Sequence, residues 1–293
     1  MDAQQIGQVR RFNRLITQRA GALDDSYLHR GRPLGEARLV FEIGEAGREL
    51  GELRRALGLD SGYVSRLLRS LEGQGLARVT PSPADGRRRA VQLTPQGRVE
   101  LAAYDERSDA LAEGLLSSLD EAQRERLVVA MAEVERLMRS AAVEVSQEPA
   151  ASPEARACLE SYYQELAERF ETGFDPEAGD LTDAGQMSPP KGVFVLAQLD
   201  GRPIGCGGLR IVGPGLGEIK RVWTAGEARR LGVGRKLMAA LEAAAREAGL
   251  ARVRLDTNAA LHEAQALYPK LGYREVARFN DNPYAHRWFE KTL

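Results

Sequence analysis

At 293 residues, with 43% apolar and 28% charged residues, the chain has the composition of a soluble globular protein and the length of two domains. A formal net charge of −1 excludes a uniformly basic or acidic binder, and no apolar run approaches the roughly 20 residues that span a bilayer. The start, Met1-Asp2-Ala3-Gln4-Gln5, lacks the pattern of a secretion signal, so a cytoplasmic location is expected, and Cys158 and Cys206 offer neither a metal spacing nor a disulfide framework.

Val9, Phe12, Leu15 and Ile16 recur at helical spacing and predict an amphipathic helix over about 3–28, broken at Gly31-Arg32-Pro33. A second helix runs through 37–43 and stops at Gly44. Two short helices, 49–57 and 61–73, flank Gly58-Leu59-Asp60 and read as a helix-turn-helix, with Asp60 or Ser61 as the N-cap of the second. In that helix Val64, Leu67, Leu68 and Leu71 form the buried stripe. The exposed side then presents Ser61, Tyr63, Ser65, Arg66 and Arg69, small polar groups and arginines that suit a DNA major groove. Strands at 76–79 and 90–93 flank a turn ending in Arg87-Arg88-Arg89. Four arginines against Asp85 leave residues 78–89 at +3, enough to seek phosphates or a minor groove; the alternative is a solvated loop. Helices over about 95–117 and 120–144 follow, the last opened by Asp120 and Gln123 at capping-box spacing.

This order, with Asp85-x-Arg87 and Leu93-Thr94-Pro95-x-Gly97, resembles the MarR family of winged-helix regulators over about 1–140. The resemblance implies an all-α winged helix-turn-helix with a small β-wing, and flanking helices that build a homodimer. It also implies a pseudo-palindromic double-stranded DNA operator, contacted by Ser61, Tyr63, Ser65, Arg66 and Arg69 with the wing residues Arg87 and Arg88.

Val143-Glu144-Val145 alternates like a strand, which places the domain boundary near 141 and gives domains 1–140 and 141–293. Residues 146–153 have linker composition, either a tether or a loop inside the second domain. A helix over 153–170 precedes a Gly/Asp/Pro-rich segment, 173–191, with Asp180, Asp183 and Pro189-Pro190, which reads as a loop over a site. Strands 192–199 and 203–212 form a hairpin at Asp200-Gly201, and 218–224 alternates as a third strand. Arg229-Arg230-Leu231-Gly232-Val233-Gly234-Arg235-Lys236 then opens a helix through 237–245. Glycines there let main-chain N–H groups converge at a helix N-terminus, and the basic residues suit a pyrophosphate. A strand over 251–257, a helix over 263–271, a polar loop and a final strand complete the chain.

Glu218 upstream of Arg229-x-x-Gly232-x-Gly234, together with Ala264-x-x-Leu267-Tyr268-x-x-x-Gly272-Tyr273, resembles the GNAT family of N-acetyltransferases over about 141–293. The resemblance implies an α/β (α+β) fold, acetyl-CoA as cofactor with coenzyme A as product, and an amine acceptor, a small molecule or a protein. On the family pattern Glu218 is the base, its pKa raised toward neutrality by burial, and Tyr268 is the general acid, also touching the cofactor. The Val222 N–H donates to the thioester oxygen, and Val222 and Thr224 run beside pantetheine. Arg229, Arg230, Leu231, Gly232, Val233, Gly234 and Arg235 hold the pyrophosphate. Leu261 stands where the family has an asparagine, which leaves Asn258 as a substitute. Asp281 would hold the substrate ammonium, with Asn282 and Tyr284 bonding its other polar groups; the alternative is turn chemistry around Asn282-Pro283.

The residues alone also allow Glu218 as a salt-bridge partner of Lys220 or Arg221, and Tyr268 as a core aromatic. The expected function is a MarR-like transcriptional regulator joined to an acetyl-CoA-dependent N-acetyltransferase. Two alternatives stand beside it. In one the second domain only senses acyl-CoA or a small ligand; in the other the winged helix serves as a dimer scaffold. No membrane partner and no metal are expected.

Overall fold

The structure, a computed structural model, describes residues 2–82, 86–171, 173–175 and 184–293. The chain divides into two compact units, Met1–Val129 and Ala130–Leu293.

In the first unit helix α1 (Ala3–Arg19) opens on a capping box between Asp2 and Gln5 and stops well short of residue 28, at a turn where Gly21 takes a φ of +63°. Helix α2 (Leu34–Ile43) leads to a two-residue strand β1 (Arg48–Glu49), then α3 (Leu50–Leu57) and α4 (Ser61–Gly73). Asp60 is the N-cap of α4: its Oδ1 accepts from the Gly62 and Tyr63 amides, each at 3.0 Å, worth about 1 kcal/mol. Val64, Leu67, Leu68 and Leu71 are buried as their spacing predicts, in one core with Leu39, Leu53 and Val91. The wing pairs β2 (Ala77–Pro81) with β3 (Arg89–Leu93), and β1 adds a third strand through Arg48 opposite Val91. Two residues carry no periodicity, so β1 had no sequence signal. Asp85, at the wing tip, lies outside the described residues. Helices α5 (Pro95–Ser117) and α6 (Glu121–Ala142) follow, with Asp120 and Gln123 exchanging both capping-box hydrogen bonds. Apolar side chains stay exposed along these helices and α1: Val9, Ile16, Leu115, Val128 and Val129 among them.

The second unit begins inside α6. Its core is a seven-stranded sheet of β4 (Glu144–Gln147), β5 (Gly192–Leu199), β6 (Arg202–Gly213), β7 (Leu216–Thr224), β8 (Arg252–Thr257), β9 (Arg274–Val276) and β10 (Arg287–Thr292). Their order is β4-β5-β6-β7-β8-β10-β9, and only the β7–β8 pair is parallel. Helices α7 (Pro153–Arg169), α8 (Val233–Glu247) and α9 (His262–Lys270) pack on it. Of the expected loop 173–191, Ala184–Met187 is a turn of 3-10 helix, and Asp180 and Asp183 lie outside the described residues. Short β9 was not foreseen.

One irregularity positions the site. Cys206 pairs with Trp223 but Gly208 pairs with Lys220, so Gly207 faces both Arg221 and Val222. This is a β-bulge, and Arg221 takes a φ of +58° there, a conformation costing a non-glycine residue about 1 kcal/mol. In addition, β7 pairs with β8 only over Leu216–Glu218. Past Glu218 the two strands part, and two cavities open between the elements around them. No helix among the described residues is long and apolar enough to cross a membrane.

Candidate active site

The larger cavity, about 680 Å³, runs between β7, the start of α8 and α9. At one end lies the turn into α8. The Gly232, Val233, Gly234 and Arg235 amides have no hydrogen-bond acceptor among the described residues, as the first turn of a helix requires. What aims them is the other side of the same peptides. Ser140 Oγ donates to the Leu231 carbonyl at 2.8 Å and Arg136 Nη1 to the Arg230 carbonyl at 3.0 Å. In a trans peptide the following N–H points the opposite way, so fixing the Leu231 carbonyl turns the Gly232 amide away from α6. Gly232 sits at φ +76°, and a Cβ on Gly234 would stand 3.2 Å from Leu267 Cδ2. Arg230 and Arg235 are exposed at the rim with no carboxylate partner among the described residues. Consecutive amides, a helix N-terminus and two flanking guanidiniums fit a diphosphate.

Other residues of this stretch are placed differently from expectation. Leu231 is buried in the core and does not line the cavity. Lys236 turns back, giving Nζ to the Ser140 and Val143 carbonyls at the end of α6, at 2.7 and 2.8 Å. Arg229 lines the cavity but is held by Glu165 and faces Glu263 at 3.7 Å; Arg169 bridges the same two carboxylates. Burial raises the Glu165 pKa, but Arg169, the Trp223 indole and Arg229 together bring it below the ordinary range. Glu263 is likewise held low, chiefly by its hydrogen bond from Arg169. None of the four had a local signal as a cluster, because they come from α7, the turn before α8, and α9.

Val222 and Thr224 line the same cavity, and Tyr268 lines both cavities. The Tyr268 hydroxyl has no partner among the described residues, and its ring packs on Tyr273 and Phe289. Burial, then the Asp256 charge, push its pKa above the usual phenol value, so it stays protonated. Tyr162, on α7, also lines both cavities, and burial, then Tyr268, push its pKa above the usual phenol value.

Glu218 corrects the largest expectation. It is fully buried and lines neither cavity. Its carboxylate meets Lys220 at 2.9 Å, Arg254 at 2.9 Å and Arg210 at 3.1 Å. Burial alone would raise its pKa, as the sequence suggested, but Lys220, Arg210 and Arg254 outweigh burial and hold it below the ordinary carboxylate range. Held low and lining neither cavity, the carboxylate is placed as an ion-pair partner, without the raised pKa that the base role called for. The salt-bridge alternative is what the fold builds, with Arg210 and Arg254 as partners the sequence did not suggest.

The smaller cavity, about 80 Å³, is walled by Phe170, Phe174 and Tyr284, whose ring centroids lie 5.0–5.8 Å apart. Its charged residues are Lys220, Arg221 and Asp256. Asp256 accepts from Lys220 Nζ at 2.8 Å, Asn282 Nδ2 at 2.9 Å and Asn280 Nδ2 at 3.0 Å. Burial raises its pKa, yet Lys220 and the two amides bring it below the usual value. Asn282 and Tyr284 line this cavity, but their polar groups are engaged within the chain: Asn282 donates to Asp256 and accepts from the Tyr284 amide at 3.1 Å, and the Tyr284 hydroxyl accepts from the Asp175 amide at 3.0 Å. Asp281 does not line it: its side chain is fully exposed and pairs with Arg278 at 2.8 Å. Successive loop residues point apart, and the inward positions went to Asn280 and Asn282. Asn258 lines the small cavity but not the large one, and its amide is occupied by the Tyr284 carbonyl at 2.7 Å and the Ala260 N–H at 2.8 Å. Leu261 lines both cavities.

In the first unit Ser61, Tyr63, Arg66 and Arg69 are exposed along α4, with the Arg66 guanidinium 5.6 Å from the Tyr63 ring centre. Ser65 is half-buried; its hydroxyl donates to the Ser61 carbonyl at 2.8 Å and accepts from Arg54 at 3.3 Å, so it is engaged within the fold. On the wing Arg87 and Arg88 are exposed, Arg88 reaching Glu49 at 3.1 Å.

Residues 159–273 match the model of the acetyltransferase (GNAT) family, and residues 30–88 that of the MarR family. The chain is 33% identical over 112 residues to an IAA acetyltransferase of Azospirillum brasilense, covering 38% of this chain and 72% of that protein. Among solved structures it is similar to a GNAT-family acetyltransferase of Staphylococcus aureus, at 19% identity and a TM-score of 0.46, covering 52% of this chain and 99% of that one. It is also similar to a probable transcriptional regulator of Pseudomonas aeruginosa, at 26% identity and a TM-score of 0.37, covering 43% of this chain and 96% of that one.

Proposed function

For a chain that belongs to the GNAT acetyltransferase family and carries a MarR-family segment ahead of that domain, we propose an acetyl-CoA-dependent N-acetyltransferase coupled in one polypeptide to a DNA-binding regulator. The observation that carries the catalytic half is the run of four acceptor-less amides, Gly232 to Arg235, at the end of a cleft that also presents Val222 and Tyr268. Bound acetyl-CoA would supply an acetyl thioester, whose C–S bond is exchanged for a C–N bond to the acceptor amine as the coenzyme thiol is released.

The chain's residues divide the remaining work. Gly232–Arg235, Arg230 and Arg235 seat the diphosphate, while Val222 and Thr224 line the path from it to the small cavity. Tyr268, protonated and standing between the cavities, gives its hydroxyl proton to the leaving sulfur. Glu165, Glu263 and Asp256, the carboxylates that line the cavities, are all held below their ordinary pKa values. None is tuned as a base, so the amine enters neutral, its proton lost to water. The rate should then rise with pH along the acceptor amine's own titration. Leu261, in the place of the family's asparagine, favours the second reading, a domain that senses acyl-CoA without turnover.

For the first unit, Tyr63, Arg66, Arg69 and Arg87 meet DNA as a homodimer joined through the apolar faces of α1, α5 and α6. Calorimetry with coenzyme A, followed by thiol release from acetyl-CoA over a panel of amines, tests the enzyme. Heat without thiol release would leave the sensor; no heat would remove both readings. A footprint on the protein's own promoter tests the regulator.

A further inference from the structure

We propose that the acetyl acceptor carries a carboxylate beside a ring-sized apolar group, and that Arg221 receives that carboxylate. This rests on the acetyl-transfer reading and names the acceptor class for the small cavity.

Arg221 is 7% exposed and lines that cavity. Among the described residues its guanidinium has a single hydrogen-bonding partner, the Met187 sulfur 4.0 Å from Nη1, a weak acceptor for a full charge. Its neighbours are treated otherwise: Arg210, Lys220 and Arg254 each reach the Glu218 carboxylate, and Lys220 also reaches Asp256. A guanidinium removed from water without a counter-ion is costly and persists where something outside the chain supplies one. Its planar fork matches a carboxylate through two parallel hydrogen bonds.

The backbone supports the same conclusion. Arg221 occupies the bulge opposite Gly207 at φ +58°, a strained conformation for a residue with a Cβ. Strain of this kind is retained where it aims a side chain at a ligand. The charge balance agrees. In the cavity lining Lys220 and Arg221 stand against Asp256, whose oxygens already take Lys220, Asn280 and Asn282, and Glu218 behind the lining is already shared by Lys220, Arg210 and Arg254. An acceptor carboxylate neutralises the cavity, whereas an ammonium there would find no unengaged carboxylate. The Phe170, Phe174 and Tyr284 rings form the apolar wall against which a ring of the acceptor would lie. An amino acid with an aromatic or bulky side chain meets all three conditions.

The test uses the full chain, Arg221→Gln and Arg221→Lys. 3-Phenylpropionate, which has ring and carboxylate but no amine, is titrated calorimetrically against phenethylamine, which has ring and amine but no carboxylate. Wild type should bind the acid and prefer it, Arg221→Gln should bind it about tenfold more weakly, and Arg221→Lys should fall between. In thiol release from acetyl-CoA, L-phenylalanine should exceed phenethylamine in kcat/KM by about tenfold, a ratio that falls toward unity in Arg221→Gln. Heat from coenzyme A in Arg221→Gln shows that the variant is folded; if that heat is lost, the wild-type preference between acid and amine decides. Equal acid affinity in wild type and Arg221→Gln, or a wild-type preference for the amine, overturns the carboxylate seat. Absence of coenzyme A heat in wild type would instead overturn the acetyltransferase reading, and binding of 3-phenylpropionate would still report on Arg221.

Discussion

Lys220 Nζ and Asp256 Oδ1 lie 2.8 Å apart across the gap where β7 leaves β8. The second Asp256 oxygen holds Asn280 and Asn282, so one carboxylate ties the parted strands to the loop that walls the small cavity. Asp256→Asn should loosen that loop. The acceptor KM is expected to rise about tenfold with coenzyme A affinity unchanged. A selective loss of coenzyme A binding in calorimetry would contradict this.

Glu218→Gln separates the structural role from the catalytic one. Removing the anion leaves Lys220, Arg210 and Arg254 clustered beside a neutral amide. Stability should fall by about 3 kcal/mol, roughly 6–12 °C in Tm. Because the folded pKa of Glu218 lies below its unfolded value, its ionised form stabilises the fold above about pH 4.3, and that contribution disappears as pH falls further, through the folded value. The fall in Tm on acidification should therefore be shallower in the variant. The rise of kcat/KM with pH should persist and should track the acceptor amine when acceptors of different basicity are compared.

Tyr268→Phe removes a hydroxyl that has no partner among the described residues and stands at the border of both cavities. We expect kcat to fall about 100-fold with little change in coenzyme A affinity. Equal losses in both would identify Tyr268 as a core aromatic.

Ser140→Ala frees the Leu231 carbonyl and with it the orientation of the Gly232 amide. Coenzyme A binding should weaken about tenfold while Tm moves little. Calorimetry on the variant, with Gly234→Ala as a steric comparison against Leu267, distinguishes loss of aim from loss of space.

Arg69→Ala should weaken binding to the promoter, with the slope of log affinity against log salt reduced by about 1 if Arg69 meets a phosphate. Ser65→Ala should change far less, because that hydroxyl already serves Ser61 and Arg54. A footprint series at several salt concentrations checks both.

What the sequence determined on its own was whatever is encoded within a turn or two of chain. The α4 stripe of Val64, Leu67, Leu68 and Leu71, the Asp60 cap, the capping box at Asp120 and the glycine spacing at the start of α8 are set by local periodicity and backbone freedom, and each is readable from neighbours in order. Tertiary structure alone decided which charges meet. Glu218 reads as a base until the parallel pairing of β7 with β8 sets it opposite Arg254, 36 residues away, and β6 brings Arg210 to its other oxygen. Asp281 reads as a substrate ligand until the loop turns Asn280 and Asn282 toward Asp256 and leaves Asp281 in water. Coulomb energy depends on distance in space and on exclusion of water, and neither is a property of spacing along a chain.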